Sequence, residues 1–212
     1  MPLSRSHPLV LTALACTALL ACSKHDASPA DSTALSTAST AAANACSGAP
    51  TPPLTPAGIG PVRVGDSVSA FTTHCATHDT TLTLDGTSAH GVVVRFGPYA
   101  LTAITGGAGS TGATVSRVLV SDTAFRTTRG VGVGSRVSAI RDAYGQICAS
   151  LAGGQVVVNA AALPGVSFAT SASSAALPGG GRTLDRQPAA VPDTARVTRL
   201  WVSETQAMCG GS

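Results

Sequence analysis

Apolar and polar positions alternate in the same order at two places in the chain. Residues 115–123 read Val-Ser-Arg-Val-Leu-Val-Ser-Asp-Thr, and residues 197–205 read Val-Thr-Arg-Leu-Trp-Val-Ser-Glu-Thr. Both strings are rich in β-branched residues and lack Gly and Pro, so each predicts a strand. The one large difference is Leu119 against Trp201. A second echo has helical spacing: Val-Gly-Asp-Ser-Val-Ser-Ala-Phe at 64–71 returns as Val-Gly-Ser-Arg-Val-Ser-Ala-Ile at 133–140. Val68, Phe71 and Cys75 fall three and four apart and share one face of a predicted short helix, as do Val137, Ile140 and Tyr144. Asp66 or Ser67 caps the first helix, Ser135 caps the second, and Gly145 stops it.

Further strands are predicted at 80–84, where Leu82 and Leu84 alternate with threonines ahead of the turn Asp85-Gly86, and at 92–96, 99–104, 155–159 and 164–169. The Ala-, Ser-, Gly- and Pro-rich excursion at 171–193 reads as an exposed loop. The chain thus divides into two tandem units, about 58–123 and 124–209, each a short helix followed by antiparallel strands. Strands exposing an apolar face need a cover, so the expected class is α+β: one continuous sheet with both short helices on one side. The other face is left for a partner.

The first quarter is unlike a domain. Residues 1–7 carry Arg5 and no acid, 9–21 are apolar, and Leu19-Leu20-Ala21-Cys22 follows. Residues 1–21 therefore predict an export signal, too short to span a membrane comfortably. The four-residue ending resembles the lipobox of bacterial lipoproteins. That resemblance implies a lipidated Cys22 as mature N-terminus, attachment to a membrane through the lipid, and, with Ser23 following, placement at the outer membrane facing the periplasm. Residues 22–57 collapse to Ala, Ser, Thr and Pro with no apolar periodicity, so they predict a disordered tether ahead of a single folded body at 58–212.

Composition narrows the chemistry. Charged residues make up 11%, aromatics 3%, and the formal charge is only +3, without the basic face that nucleic acid requires. Cys46, Cys75, Cys148 and Cys209 lie beyond the export signal, where exported domains form disulfides. Two bridges are expected, in any of three pairings. His74 and His78, spaced i and i+4, could present two nitrogens to zinc with Asp79 or His90 as a third ligand, although the glutamate of the zinc-protease pattern is missing. The glycines at 106–112 lack the lysine of a phosphate-binding loop, and those at 130–134 lack dinucleotide spacing. No cofactor is implied and no catalytic set is evident. A small hydrolase is the weakest reading, after a zinc-binding envelope protein.

The Gly- and Arg-marked strings at 58–65 and 126–134, each ahead of a short helix and strands, resemble a family of uncharacterised bacterial secreted proteins and lipoproteins. More remotely, the tandem order is similar to the fold of the β-lactamase inhibitor protein and of the small lipoprotein of the outer-membrane assembly machine. This resemblance implies protein binding through the sheet face or the loops, with no catalytic residue. Trp201 bears on that expectation. Alternation puts it on one face with Val197 and Arg199. Under the helices it would be core, the preferred reading because large aromatics dominate core energetics. Facing outward, it would join Arg199 and Arg117 in a partner-contact site, since Trp and Arg are enriched at binding hot spots. The functional expectation is a lipid-anchored envelope protein acting as a binding or structural module, and not as an enzyme.

Overall fold

The computed structural model describes residues 46, 51–84, 86–106, 113–176, 187–188, 191–204 and 209. Two small hairpins come first, formed by β1 (Leu54–Thr55), β2 (Gly58–Ile59) and β3 (Val62–Arg63), followed by the one-turn helix α1 (Ser69–Thr72). Four strands follow: β4 (Thr77–Leu84), β5 (Thr87–Phe96), β6 (Tyr99–Gly106) and β7 (Thr114–Val120). Helix α2 (Val137–Tyr144) then leads into β8 (Ile147–Ala152), β9 (Gln155–Ala160), β10 (Val166–Thr170), the two-residue β11 (Gln187–Pro188) and β12 (Val197–Ser203).

Nine of these strands form one antiparallel sheet in the order β11-β8-β9-β10-β12-β7-β6-β5-β4. Its centre is the pairing of the two similar strings: Leu200 stands opposite Val120, Trp201 opposite Leu119, and Val202 opposite Val118. Directly opposed residues share a face, so the register identifies the core side. Val94 faces Leu101, Ala103 faces Val118, and Phe168 faces Val158, giving a continuous apolar band across the sheet. All of these side chains are buried.

The band is covered by several thin pieces. Phe71 of α1, Val137, Ile140 and Tyr144 of α2, and Leu54, Ile59 and Val62 of the small sheet all join one core. Phe125, in the segment between β7 and α2, packs edge to face on Phe96 with ring centroids 5.6 Å apart. The expected α+β class is therefore corrected: the described body is mainly β, a nine-stranded and a three-stranded sheet, with helices of only four and eight residues. The physical reason lies in the sequence after Phe71. Thr72, Thr73 and Thr77 are stiff β-branched residues that favour strand over helix, and the chain is already extended at Thr77. A one-turn helix cannot form a layer, and the small sheet takes that place.

Other expectations shift in detail. Neither helix has a side-chain cap: α1 begins after Val68 and α2 after Arg136. Ser135 instead accepts the Gly132 N–H through Oγ at 3.0 Å, inside the preceding turn. Gly145 does close α2, with φ at 72°. The folded body also begins earlier than residue 58, because Leu54 is 1% exposed in the core and Cys46 is bridged to Cys75. The second bridge joins Cys148 to Cys209, so two disulfides form among the four candidate cysteines. Cys22, the export signal and most of the tether lie outside the described residues, as does most of the 171–193 excursion.

Gly132 allows one clean prediction. A Cβ added there would lie 2.5 Å from the Phe125 carbonyl oxygen, a backbone atom that cannot swing aside. Gly132→Ala is expected to lower unfolding stability by about 1–3 kcal/mol, the usual cost of overpacking. Thermal or denaturant melts against the parent protein check this.

Candidate functional site

On the face of the sheet away from the core, β7 presents Arg117 and Leu119, and β12 presents Arg199 and Trp201. Trp201 stands directly across from Leu119, and Arg117 across from Ser203. The two arginines therefore flank the Leu119–Trp201 row, each two residues from it along the strands. The Arg117 guanidinium lies over the Trp201 ring, 5.8 Å from its centroid. Attraction to the ring's negative face holds that side chain in place at roughly 0.5–1 kcal/mol.

These four side chains line a pocket of about 120 Å³. Its walls come from far along the sheet: Thr83 and Leu84 at the end of β4, and Ala152, Gly153 and Gln155 at the β8–β9 turn. Six strands separate β4 from β8 in the sheet order. Their ends can meet over the centre only if the sheet coils, as twisted sheets do. The face is consequently concave, with the β7–β12 pair as its floor.

The chemistry of the pocket is one-sided. It is lined by Arg117 and Arg199, by Thr83 and Gln155, and by the apolar Leu84, Leu119 and Trp201, and among the described residues no carboxylate lines it. The ion pairs among the described residues, His90–Asp79 and Arg141–Asp193, lie elsewhere. The pocket thus suits an anion that carries apolar substance beside its charge.

Trp201 corrects the preferred core reading. It is only partly buried, stays outside the core cluster and faces the pocket with Arg199. Simple alternation misplaced its neighbour, because the β10–β12 register shifts: Ala169 pairs with Arg199 but Thr170 with Val197, skipping Thr198. That bulge turns Val197 into the core while Arg199 and Trp201 remain outside.

The zinc set does not assemble. His74 follows the single turn of α1, whereas His78 and Asp79 are successive residues of β4. Successive strand residues point to opposite faces. Asp79 instead approaches His90, which lies on the neighbouring strand, at 4.0 Å, and the other ring nitrogen of His90 lies 3.1 Å from Thr105 Oγ1. Among the described residues no three His, Cys, Asp or Glu side chains are grouped as metal ligands.

Arg117, Arg199 and Trp201 were legible as a set. The walls were not, because Thr83, Leu84, Ala152 and Gln155 carry no local signal and meet the floor only through the coil of the sheet. The Gly153-Gly154 turn, with both residues at positive φ, is the one mark that a tight hairpin stands there.

No protein-family model matches the chain, and no curated protein matches it. Among solved structures, it is similar to the crystal structure of the uncharacterized protein yfeY from Escherichia coli, at a TM-score of 0.47 and 17% sequence identity, over 73% of this chain and 99% of that chain.

Proposed function

We propose that the protein is a lipid-anchored cell-envelope protein that binds a partner polypeptide through the concave face of its sheet and catalyses no reaction. The observation that carries this reading is the pocket on that face, where Arg117, Arg199 and Trp201 meet at the central strand pair. A partly exposed Trp between two arginines, with apolar walls, has the composition of a binding hot spot. The similarity of β7 and β12, and of the strings leading to the two helices, supports an origin of both halves from one duplicated unit. The junction of the two copies then makes the site.

Lipidation at Cys22 and the tether give the binding face its setting. Several acyl chains anchor stably where one does not, and a linker of that composition lets the body range tens of ångströms from the membrane, on the order of 6 Å times the square root of its length. Cys22→Ala is expected to move the protein from the membrane fraction to the soluble fraction on cell fractionation.

Binding is tested in the envelope by placing a photo-crosslinking residue at Thr83, on the pocket wall, and at Arg136, exposed at the start of α2. A discrete polypeptide adduct from position 83, absent from position 136 and lost with Trp201→Ala, supports the reading. Equal adducts from both positions, or none from position 83, argue against it.

A further inference from the structure

The geometry points to a carboxyl-terminal peptide end with an apolar last side chain as the ligand of this pocket, an inference that rests on the binding reading above. Three observations select that chemistry. First, Arg117 and Arg199 line the pocket on either side of the Leu119–Trp201 row with no carboxylate in the lining among the described residues, and neither arginine has an ion-pair partner among those residues. A planar carboxylate matches their paired donors. Second, Leu84, Leu119 and the Trp201 ring line the same small space, so a bare phosphate would leave that apolar surface unused while a carboxylate joined to an aliphatic group covers it.

Third, the pocket is small. About 120 Å³ is well below the roughly 300 Å³ at which drug-sized pockets begin. A space of that size suits a carboxylate and a small side chain. The β4 end and the β8–β9 turn wall the pocket on two sides. Thr83 and Gln155 stand on those walls, where a hydroxyl and an amide can hydrogen-bond the last peptide groups of an entering strand.

Trp201 is the only Trp of the chain, so its fluorescence reports on the pocket alone. The full-length oxidised protein is titrated with four probes. They are an acetylated Ala-rich hexapeptide ending in a free-acid valine, the same peptide amidated, an amidated peptide with an internal glutamate, and inorganic phosphate. The free acid is expected to shift the emission saturably, with the amide weaker by about tenfold or more, the loss expected for one charge-assisted hydrogen bond. Arg117→Gln and Arg199→Gln are each expected to weaken the free acid about tenfold at an unchanged thermal midpoint. An amide or an internal glutamate that binds as tightly as the free acid overturns the terminal-carboxylate assignment while leaving partner binding by this face in place. Phosphate saturating the same signal at the same concentration, or no response to the free acid, overturns it as well. A missing adduct at position 83 would separately remove the binding reading.

Discussion

With Cys148 and Cys209 both replaced by alanine, the folded body is expected to lose about 4 kcal/mol of stability, the chain-entropy value for a loop of that size. The bridge closes a segment of sequence separation 61, against 29 for Cys46–Cys75, so it restricts the unfolded chain more. It also has a structural task. Cys148 lies on β8, the last long strand before the sheet ends at the two-residue β11, and Cys209 lies six residues beyond the end of the central strand β12. The bridge therefore ties the end of the chain to a strand three positions from β12 in the sheet order. Denaturant melts of the oxidised parent and the double variant give the difference, and a loss below about 1 kcal/mol would mean that the chain-entropy account fails for this bridge. Most domains have only about 5–15 kcal/mol in total, so the variant is expected to stand near the edge of folding.

Phe125→Ala is expected to cost about 3–5 kcal/mol, the usual range for deleting a fully buried phenylalanine. Phe125 is 0% exposed and belongs to no strand or helix, yet it covers the core from the segment joining β7 to α2. Two losses combine: apolar surface is left over a cavity, and the edge-to-face contact with Phe96 disappears, worth about 0.5–1.5 kcal/mol beyond its area. In a chain with four phenylalanines and one tryptophan, few side chains can refill that space. Phe125→Leu should recover a large part of the loss, and a melt in which alanine and leucine variants behave alike would count against cavity formation as the cause.

The strand content was readable wherever β-branched residues alternated. β4, β5, β6, β7, β9, β10 and β12 all overlap stretches predicted from the pattern. β8 was not, because Ile-Cys-Ala-Ser-Leu-Ala has a single β-branched residue and no strict alternation, and it becomes a strand by pairing with β9 along its whole length. The small sheet was likewise hidden, since strands of two residues leave no periodicity to detect. The helices misled in the opposite direction. Val68, Phe71 and Cys75 are all buried, as helical spacing implied, but only Phe71 sits in the one turn of α1. The backbone meets the same burial with a turn and a bend.

Trp201 shows where pattern reading stops. The bulge moves Val197 off the face it would share with Trp201, and nothing in Val-Thr-Arg-Leu-Trp marks Thr198 as the residue left out of register. The identity of the site floor was legible as composition, two arginines and a tryptophan on equivalent strands. Its shape is a property of nine strands coiling together, and no local stretch encodes it.

Neighbouring residues of β12 offer the most direct test of the central claim, that one face of the β7–β12 pair is core and the other is a ligand surface. Leu200 and Trp201 are compared as alanine variants, each assayed for unfolding stability and for binding of the free-acid peptide. Leu200→Ala is predicted to lose about 2–5 kcal/mol of stability because Leu200 is fully buried opposite Val120. Its binding, where folded, should be close to that of the parent. Trp201→Ala is predicted to keep its stability within about 1 kcal/mol, because Trp201 is partly exposed and stands outside the core cluster, and to lose peptide binding, read by calorimetry since the fluorophore is gone. A Trp201→Ala protein as unstable as Leu200→Ala, or one that binds the peptide like the parent, would contradict the account.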